Sequence, residues 1–344
     1  MKRKTRLTIA REAVRDLLGL KRRSKILKID DSSLFFRDGW GNLDALERLK
    51  QTRILELEPK RLDISWLPPF SEKGLIRKDG SFSSPLPHEF LPEEARTAHF
   101  RLNLPEDHDR ETPIVIVFPM TGDEGFELRE RKISRPLLKK GIGTLLLENP
   151  FYGKRKPSYQ DTYFIQSVLD MLSMCMGAAI EGQHLLSHFQ DEGYRHLGVA
   201  GQSQGGMVAS IVGTLTSSPI SIAISLSAHS PEVILTEGLL RSFVDWSQLS
   251  MDSLDECHSR FRDIFEVGDI LKRPPPAYPQ AAFIQGARLD KVTPRASVRS
   301  IHEHWAGSQL EWLPGSHISS LTLHSKDFVD LISKSVQALK AKKE

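Results

Sequence analysis

His196-Leu-Gly-Val-Ala-Gly201-Gln202-Ser203-Gln204-Gly205-Gly206 is an apolar strand running into a glycine-framed serine, and Met207-Val-Ala-Ser210 continues it as a helix. A chain that turns this sharply from strand to helix leaves its central residue strained, with the side chain exposed at the sheet edge. Gly201 and Gly205 relieve the crowding on either side. The hydroxyl of Ser203 then sits at a helix N-terminus, where amide groups and the helix dipole favour developing negative charge. This setting makes Ser203 the candidate nucleophile. The plain alternative is a glycine-rich turn with a serine cap.

Outward from this turn, apolar runs alternate with helical stretches. The runs are residues 114–118, 143–147, 196–200, 221–226, 281–285 and 310–313. The helical stretches lie near 127–140, 161–190, 204–216, 294–306 and 323–341. Short, continuous apolar strands separated by helices predict an α/β fold, a mostly parallel central sheet with helices on both faces. Residues 30–100, with six prolines, read as irregular apart from a strand over 95–104. Residues 230–275 interrupt the alternation between two strands and read as a small helical lid. Its apolar residues Val233, Ile234, Leu235, Leu239, Leu240 and Phe243 suggest contact with lipid. The domain reading is a basic segment over 1–28 and one α/β domain over 29–344.

An activated serine needs a base, and the base needs an orienting acid. Asp290 follows the strand 281–285 in a turn that ends at Pro294, and Glu232 is the alternative acid. His317 follows the last strand through Pro314-Gly315-Ser316, which places it on a loop neighbouring that of Asp290. An oxyanion hole needs two amide donors. Gln204, directly after the serine, is one candidate. The loop Pro119-Met120-Thr121-Gly122-Asp123 supplies the other, from Met120 or Thr121 with Gly122 as a third choice. A further loop, Glu148-Asn-Pro-Phe-Tyr152-Gly-Lys154-Arg155-Lys156-Pro157, leaves a buried strand on the same edge. Tyr152, Arg155 and Lys156 are its candidates for substrate contact, and Lys154, Arg155 and Lys156 together put positive charge there for an anionic head group. The plain alternative is a solvated basic loop.

The ordered set Phe35-Phe-Arg-Asp-Gly39-Trp40-Gly41, Thr121-Gly-Asp123, residues 148–157, Gly201-Gln-Ser-Gln-Gly-Gly206 and Gly315-Ser-His-Ile318 resembles the abhydrolase-domain-containing protein 18 family, from about residue 34 onward. The run from Glu148 to Pro157 is far more specific than G-x-S-x-G. The resemblance implies the α/β-hydrolase fold, a triad at Ser203, Asp290 and His317, and lipid acyl esters as substrates. The expected reaction is hydrolysis of a carboxylic ester through an acyl-enzyme. A thioesterase or peptidase uses the same triad, and a non-catalytic binding scaffold is the competing class.

Composition narrows the field. The chain has 344 residues, 39% hydrophobic and 26% charged, with no apolar run long enough to span a bilayer. Cys175 and Cys257 make neither a disulfide framework nor a metal-ligand spacing, so no metal or organic cofactor is expected and a reducing, intracellular setting fits. Residues 1–28 carry eleven Lys and Arg against two acids (+9). The rest holds 36 basic and 42 acidic residues (−6). A basic tail on an acidic body does not read as a nucleic-acid-binding domain. Leu7, Ala10, Val14, Leu17 and Leu18 recur at helical spacing within that tail, as in a membrane-surface helix or an organelle transit peptide. The expectation is a mitochondrial or membrane-peripheral protein, otherwise a cytoplasmic one.

Overall fold

The computed structural model describes residues 34–342, apart from residues 57, 73, 250 and 252. The segment 1–28, and the expectation of a targeting or membrane-contact helix there, lies outside the described residues.

Among the described residues, ten strands form one twisted sheet. They are β1 (Ser65–Trp66), β2 (Phe70–Glu72), β3 (Leu75–Ser83), β4 (Thr97–Leu104), β5 (Ile114–Phe118), β6 (Gly143–Leu147), β7 (Leu197–Gln202), β8 (Ser221–Ser225), β9 (Ala282–Ala287) and β10 (Gln309–Leu313). Their order is β1-β3-β4-β6-β5-β7-β8-β9-β10, with β2 paired to β3. From β6 to β10 all pairings are parallel, and β1 to β4 add an antiparallel flank. The strands follow the apolar runs because side chains alternate between two covered faces. Along β5, Ile114, Ile116 and Phe118 enter one core while Val115 and Val117 enter the other.

The helices are α1 (Leu43–Gln51), α2 (Glu127–Arg129), α3 (Arg135–Leu138), α4 (Val168–Asp191), α5 (Gln204–Leu215), α6 (Pro231–Thr236), α7 (Leu254–Phe265), α8 (Arg295–His304), α9 (His317–Leu323) and α10 (Ser325–Lys340). A π-helical turn, Glu130–Ser134, joins α2 to α3. Helices α4 and α5 cover the first face of the sheet, and the π-helical turn, α3 and α10 cover the second. Gly182 of α4 lets that helix press onto β5: a Cβ there would stand 2.5 Å from the Phe118 ring. Among the described residues no helix is long and apolar enough to cross a membrane.

Two expectations change. The described residues from 34 to 100 are not irregular throughout. They hold α1, capped by the Asn42 side chain, and the hairpin strands β1 to β3. Strand β3 reads Leu-Ile-Arg-Lys-Asp-Gly-Ser-Phe-Ser and is half exposed, so its polar residues hid the strand period. Most of the apolar residues named in the 230–275 insertion do not face outward to lipid; Leu239 and Leu240 stay partly exposed. Val233, Ile234 and Leu235 are 4–5% exposed and Phe243 is 4% exposed, because they pack inward. Val233 and Ile234 lie against Met207 and Val292. The insertion is also stitched to its surroundings. Leu239 N–H donates to Lys291 O, and the segment around Phe35 pairs with Val244 and binds Phe243 O.

Candidate active site

Ser203 sits where β7 turns into α5, with φ 53° and ψ −122°. Left-handed φ at a non-glycine residue is strained, and the surroundings must hold it. They do so through glycine. A Cβ on Gly201 would strike the Gly205 carbonyl, and one on Gly205 would stand 2.5 Å from Phe118 O. The Ser203 amide donates to Ser225 O at 2.8 Å, which ties the turn to the neighbouring strand.

The three residues expected from chain order converge. His317 Nε2 lies 3.1 Å from Ser203 Oγ, and His317 Nδ1 lies 2.8 Å from Asp290 Oδ2. The side chains of His317 and Asp290 are 5% and 2% exposed. The other carboxylate oxygen of Asp290 accepts the amides of Val292 (2.8 Å) and Thr293 (2.9 Å), so the acid is oriented from both ends. Thr293 Oγ1 donates to Leu226 O, and the Leu289 amide donates to Gly315 O. These bonds join the acid loop to β8 and to the histidine loop. His317 opens the first turn of α9 rather than lying in a loop, with Ser316 and Ser319 closing a capping box around it. Glu232, the alternative acid, is remote in role: it accepts from Thr236 on its own helix and lies 3.7 Å from Arg262.

The loop 119–123 faces the N-terminus of α5. Thr121 Oγ1 donates to Gln204 Oε1 at 3.1 Å, and the Asp123 amide closes a turn onto Met120 O. Gly122 has φ +78°, and the Tyr163 ring stands 3.4 Å from where its Cβ would lie. Thus the loop of Met120 and Thr121 meets Gln204 through the Thr121 hydroxyl, beside the serine turn.

Behind this loop lies a layer of buried charge that the sequence does not reveal. Arg129 Nε contacts Asp123 Oδ2 at 2.8 Å, both side chains being buried. The same guanidinium donates to Val117 O, Leu147 O and Gly125 O, clamping the ends of β5 and β6. Burial pushes the Asp123 carboxyl up, against the pull of Arg129. Glu148 accepts the Gly125 amide, and its pKa is also raised by burial. Arg129 sits in Glu-Leu-Arg-Glu-Arg-Lys, which reads locally as a solvated face, so only the packing exposes its role.

The basic loop corrects a prediction. Arg155 does not face an anionic head group. It is wholly buried, pairs with Glu181 at 2.6 and 2.8 Å, and donates to Ala95 O and Glu148 O. Ser84 Oγ adds a bond to the same Glu181 carboxylate. Tyr152 is also fully buried and has no surface for substrate. Its hydroxyl faces the Gly122 amide without closing a hydrogen bond of ordinary geometry, and burial raises its pKa. Lys156 is half-buried and bound to Glu124 at 2.9 Å. Charged groups so near a protein interior are paired rather than left for solvent, and that is why this loop became structural.

Similar folds occur among solved structures. An acetyl xylan esterase from Paenibacillus sp. R4 matches with a TM-score of 0.59 and 12% identity, over 89% of this chain and 99% of that one. A cold-adapted esterase from an Arctic intertidal metagenomic library matches at 0.52 and 13%, over 80% and 99%. Est1E from Butyrivibrio proteoclasticus, with ferulic acid bound, matches at 0.51 and 15%, over 70% and 96%. At these identities the likeness shows the fold. A family model described as alpha/beta hydrolase domain containing 18 matches residues 33–267 and 251–338. With the parallel sheet, the strained serine turn and that match across the chain, the protein belongs to the alpha/beta hydrolase domain containing 18 family.

Proposed function

We propose that this protein hydrolyses a carboxylic ester, and that the ester is a lipid's. The observation that carries the reading is the unbroken line Ser203 Oγ, His317 Nε2, His317 Nδ1, Asp290 Oδ2, at 3.1 and 2.8 Å. Ser203 Oγ attacks the acyl carbon while His317 Nε2 takes its proton. The oxyanion is held by the Gln204 amide and by an amide of the 120–122 loop. Collapse expels the alcohol, which leaves with the proton from His317. Water then repeats the sequence on the acyl-serine, releasing the acid. Asp290 keeps Nδ1 protonated and stabilises the imidazolium. The esterases that share the fold support the ester as substrate class. The lipid part rests on the family resemblance and on the +9 segment at residues 1–28, which suits an anionic membrane surface.

A fluorophosphonate probe tests the chemistry. The native chain is labelled and Ser203→Ala is not; equal labelling of both overturns the assignment. Co-sedimentation with vesicles of phosphatidylcholine and an anionic phospholipid tests the membrane contact. Deleting residues 1–28 is expected to abolish it at low salt, and unchanged sedimentation rejects it.

A further inference from the structure

The loop beside the serine turn closes on itself. The Asp123 amide donates to Met120 O at 3.1 Å, so residues 120–123 form a four-residue turn. Gly122, its third residue, has φ +78°, and Thr121, its second, has ordinary negative φ. That combination is a type II turn. Type I differs from it chiefly by roughly half a turn of the peptide joining the two central residues, here the one whose N–H belongs to Gly122. Glycine at this place tolerates either form, so a group outside the turn must choose between them. The turn rests against the residue after the nucleophile, through Thr121 Oγ1 and Gln204 Oε1, and a Cβ on Gly205 would stand 2.8 Å from Pro119 O. A flip of that peptide would re-aim the amides nearest Gln204.

We propose that Tyr152 is a positioning residue for the oxyanion loop: its hydroxyl accepts the Gly122 amide, holds the turn in its type II form, and leaves the oxyanion to Met120 or Thr121. The proposal rests on the ester-hydrolase reading and adds to it the group that sets the loop. Three observations support it. Tyr152 is fully buried, and its hydroxyl, which faces the Gly122 amide, has no other partner of ordinary geometry. A buried hydroxyl left unpaired costs stability, so packing alone favours phenylalanine at this position. Second, the backbone that aims the ring is strained. Phe151 has φ 67°, a left-handed conformation that a bulky residue keeps only where its surroundings hold it, and Gln160 Nε2 donates to Phe151 O at 3.0 Å. Third, residues before and after Tyr152 grip the far end of the oxyanion loop. Glu148 Oε1 accepts the Gly125 amide at 3.1 Å, and a Cβ on Gly153 would stand 3.3 Å from that amide nitrogen.

The test compares Tyr152→Phe with the native full chain on p-nitrophenyl acetate. The variant removes one oxygen and should melt at or above the native midpoint. Its kcat should fall about tenfold at unchanged KM, because a misaimed donor is missed in the transition state and not in the bound ester. Gly122→Ala sets a side chain at φ +78° and penalises the same turn form, so it should lose a similar factor. The double variant should lose no more than the slower single, since both act through one peptide. A native kcat in Tyr152→Phe, a loss that comes with a lowered melting midpoint, or losses that multiply in the double variant overturns the assignment. Native enzyme that turns over no ester and takes no fluorophosphonate overturns the ester reading instead. Hydrogen exchange at the Gly122 amide then decides about Tyr152: exchange about tenfold faster in Tyr152→Phe supports the contact, and an unchanged rate rejects it.

Discussion

At the scale of single residues, the strain at Ser203 separates function from stability. With φ 53° and ψ −122°, a side chain at this position costs roughly 1–3 kcal/mol relative to relaxed backbone. Glycine tolerates positive φ, so Ser203→Gly should be about 1 kcal/mol more stable to urea than Ser203→Ala. Both should be unlabelled by fluorophosphonate. Gly205 has the opposite character. Its φ is ordinary, but Phe118 O stands 2.5 Å from its missing Cβ, and backbone cannot step aside cheaply. Gly205→Ala is expected to lose about 2 kcal/mol or more and to slow probe labelling, because any relief moves the loop beside the oxyanion site. Asp290→Asn keeps the shape of the acid but presents the wrong group to His317 Nδ1. A fall of about 10⁴-fold in kcat with an unchanged melting midpoint is the expected result.

At the scale of elements, the loop from Glu148 to Pro157 acts as a brace rather than a substrate contact. Arg155 joins that loop to α4 through Glu181 and to residue 95 through a carbonyl. Removing one partner of such a pair leaves a buried charge without compensation, so Arg155→Ala should cost about 3–5 kcal/mol. A variant that stays as stable as the native chain would restore the ligand reading of this loop. The N-terminus of α4 carries a different liability. Burial pushes Asp170 up to about 6 from an ordinary 3.8, against the hydrogen bonds of Ser167 and Tyr159. Below about pH 4 both folded and unfolded chains hold the proton. Between about 4 and 6 only the folded chain holds it, so stability falls as pH rises, and above about 6 the loss is constant. Asp170→Asn should therefore gain of order 1–2 kcal/mol at pH 7 and nothing at pH 4, read as the shift in urea midpoint at the two pH values.

At the scale of the whole molecule, the parallel half of the sheet, the serine turn and the positions of Asp290 and His317 were legible in the chain order. Each is a local property. Period and apolar run length mark buried parallel strands, small residues mark a crowded turn, and an acid and a histidine directly after strands fall on one sheet edge. Of the antiparallel flank only β4 was legible; β1 to β3 were not, because the charged, partly exposed residues of β3 mask its period and β1 and β2 are only two and three residues long. The fate of the charges was not legible either. Arg129, Arg155 and Glu181 look like surface residues among their neighbours in sequence, and only folding brings each to its counter-charge. The same holds for the insertion, whose apolar residues close a core with Met207 and Val292. Chain order determined where strands end and which residues stand at those ends, since that depends on neighbours a few positions away. Tertiary structure decided which of the polar groups are sealed and which apolar groups are spent in packing, since those depend on partners distant in the chain, as Phe35 is from Phe243.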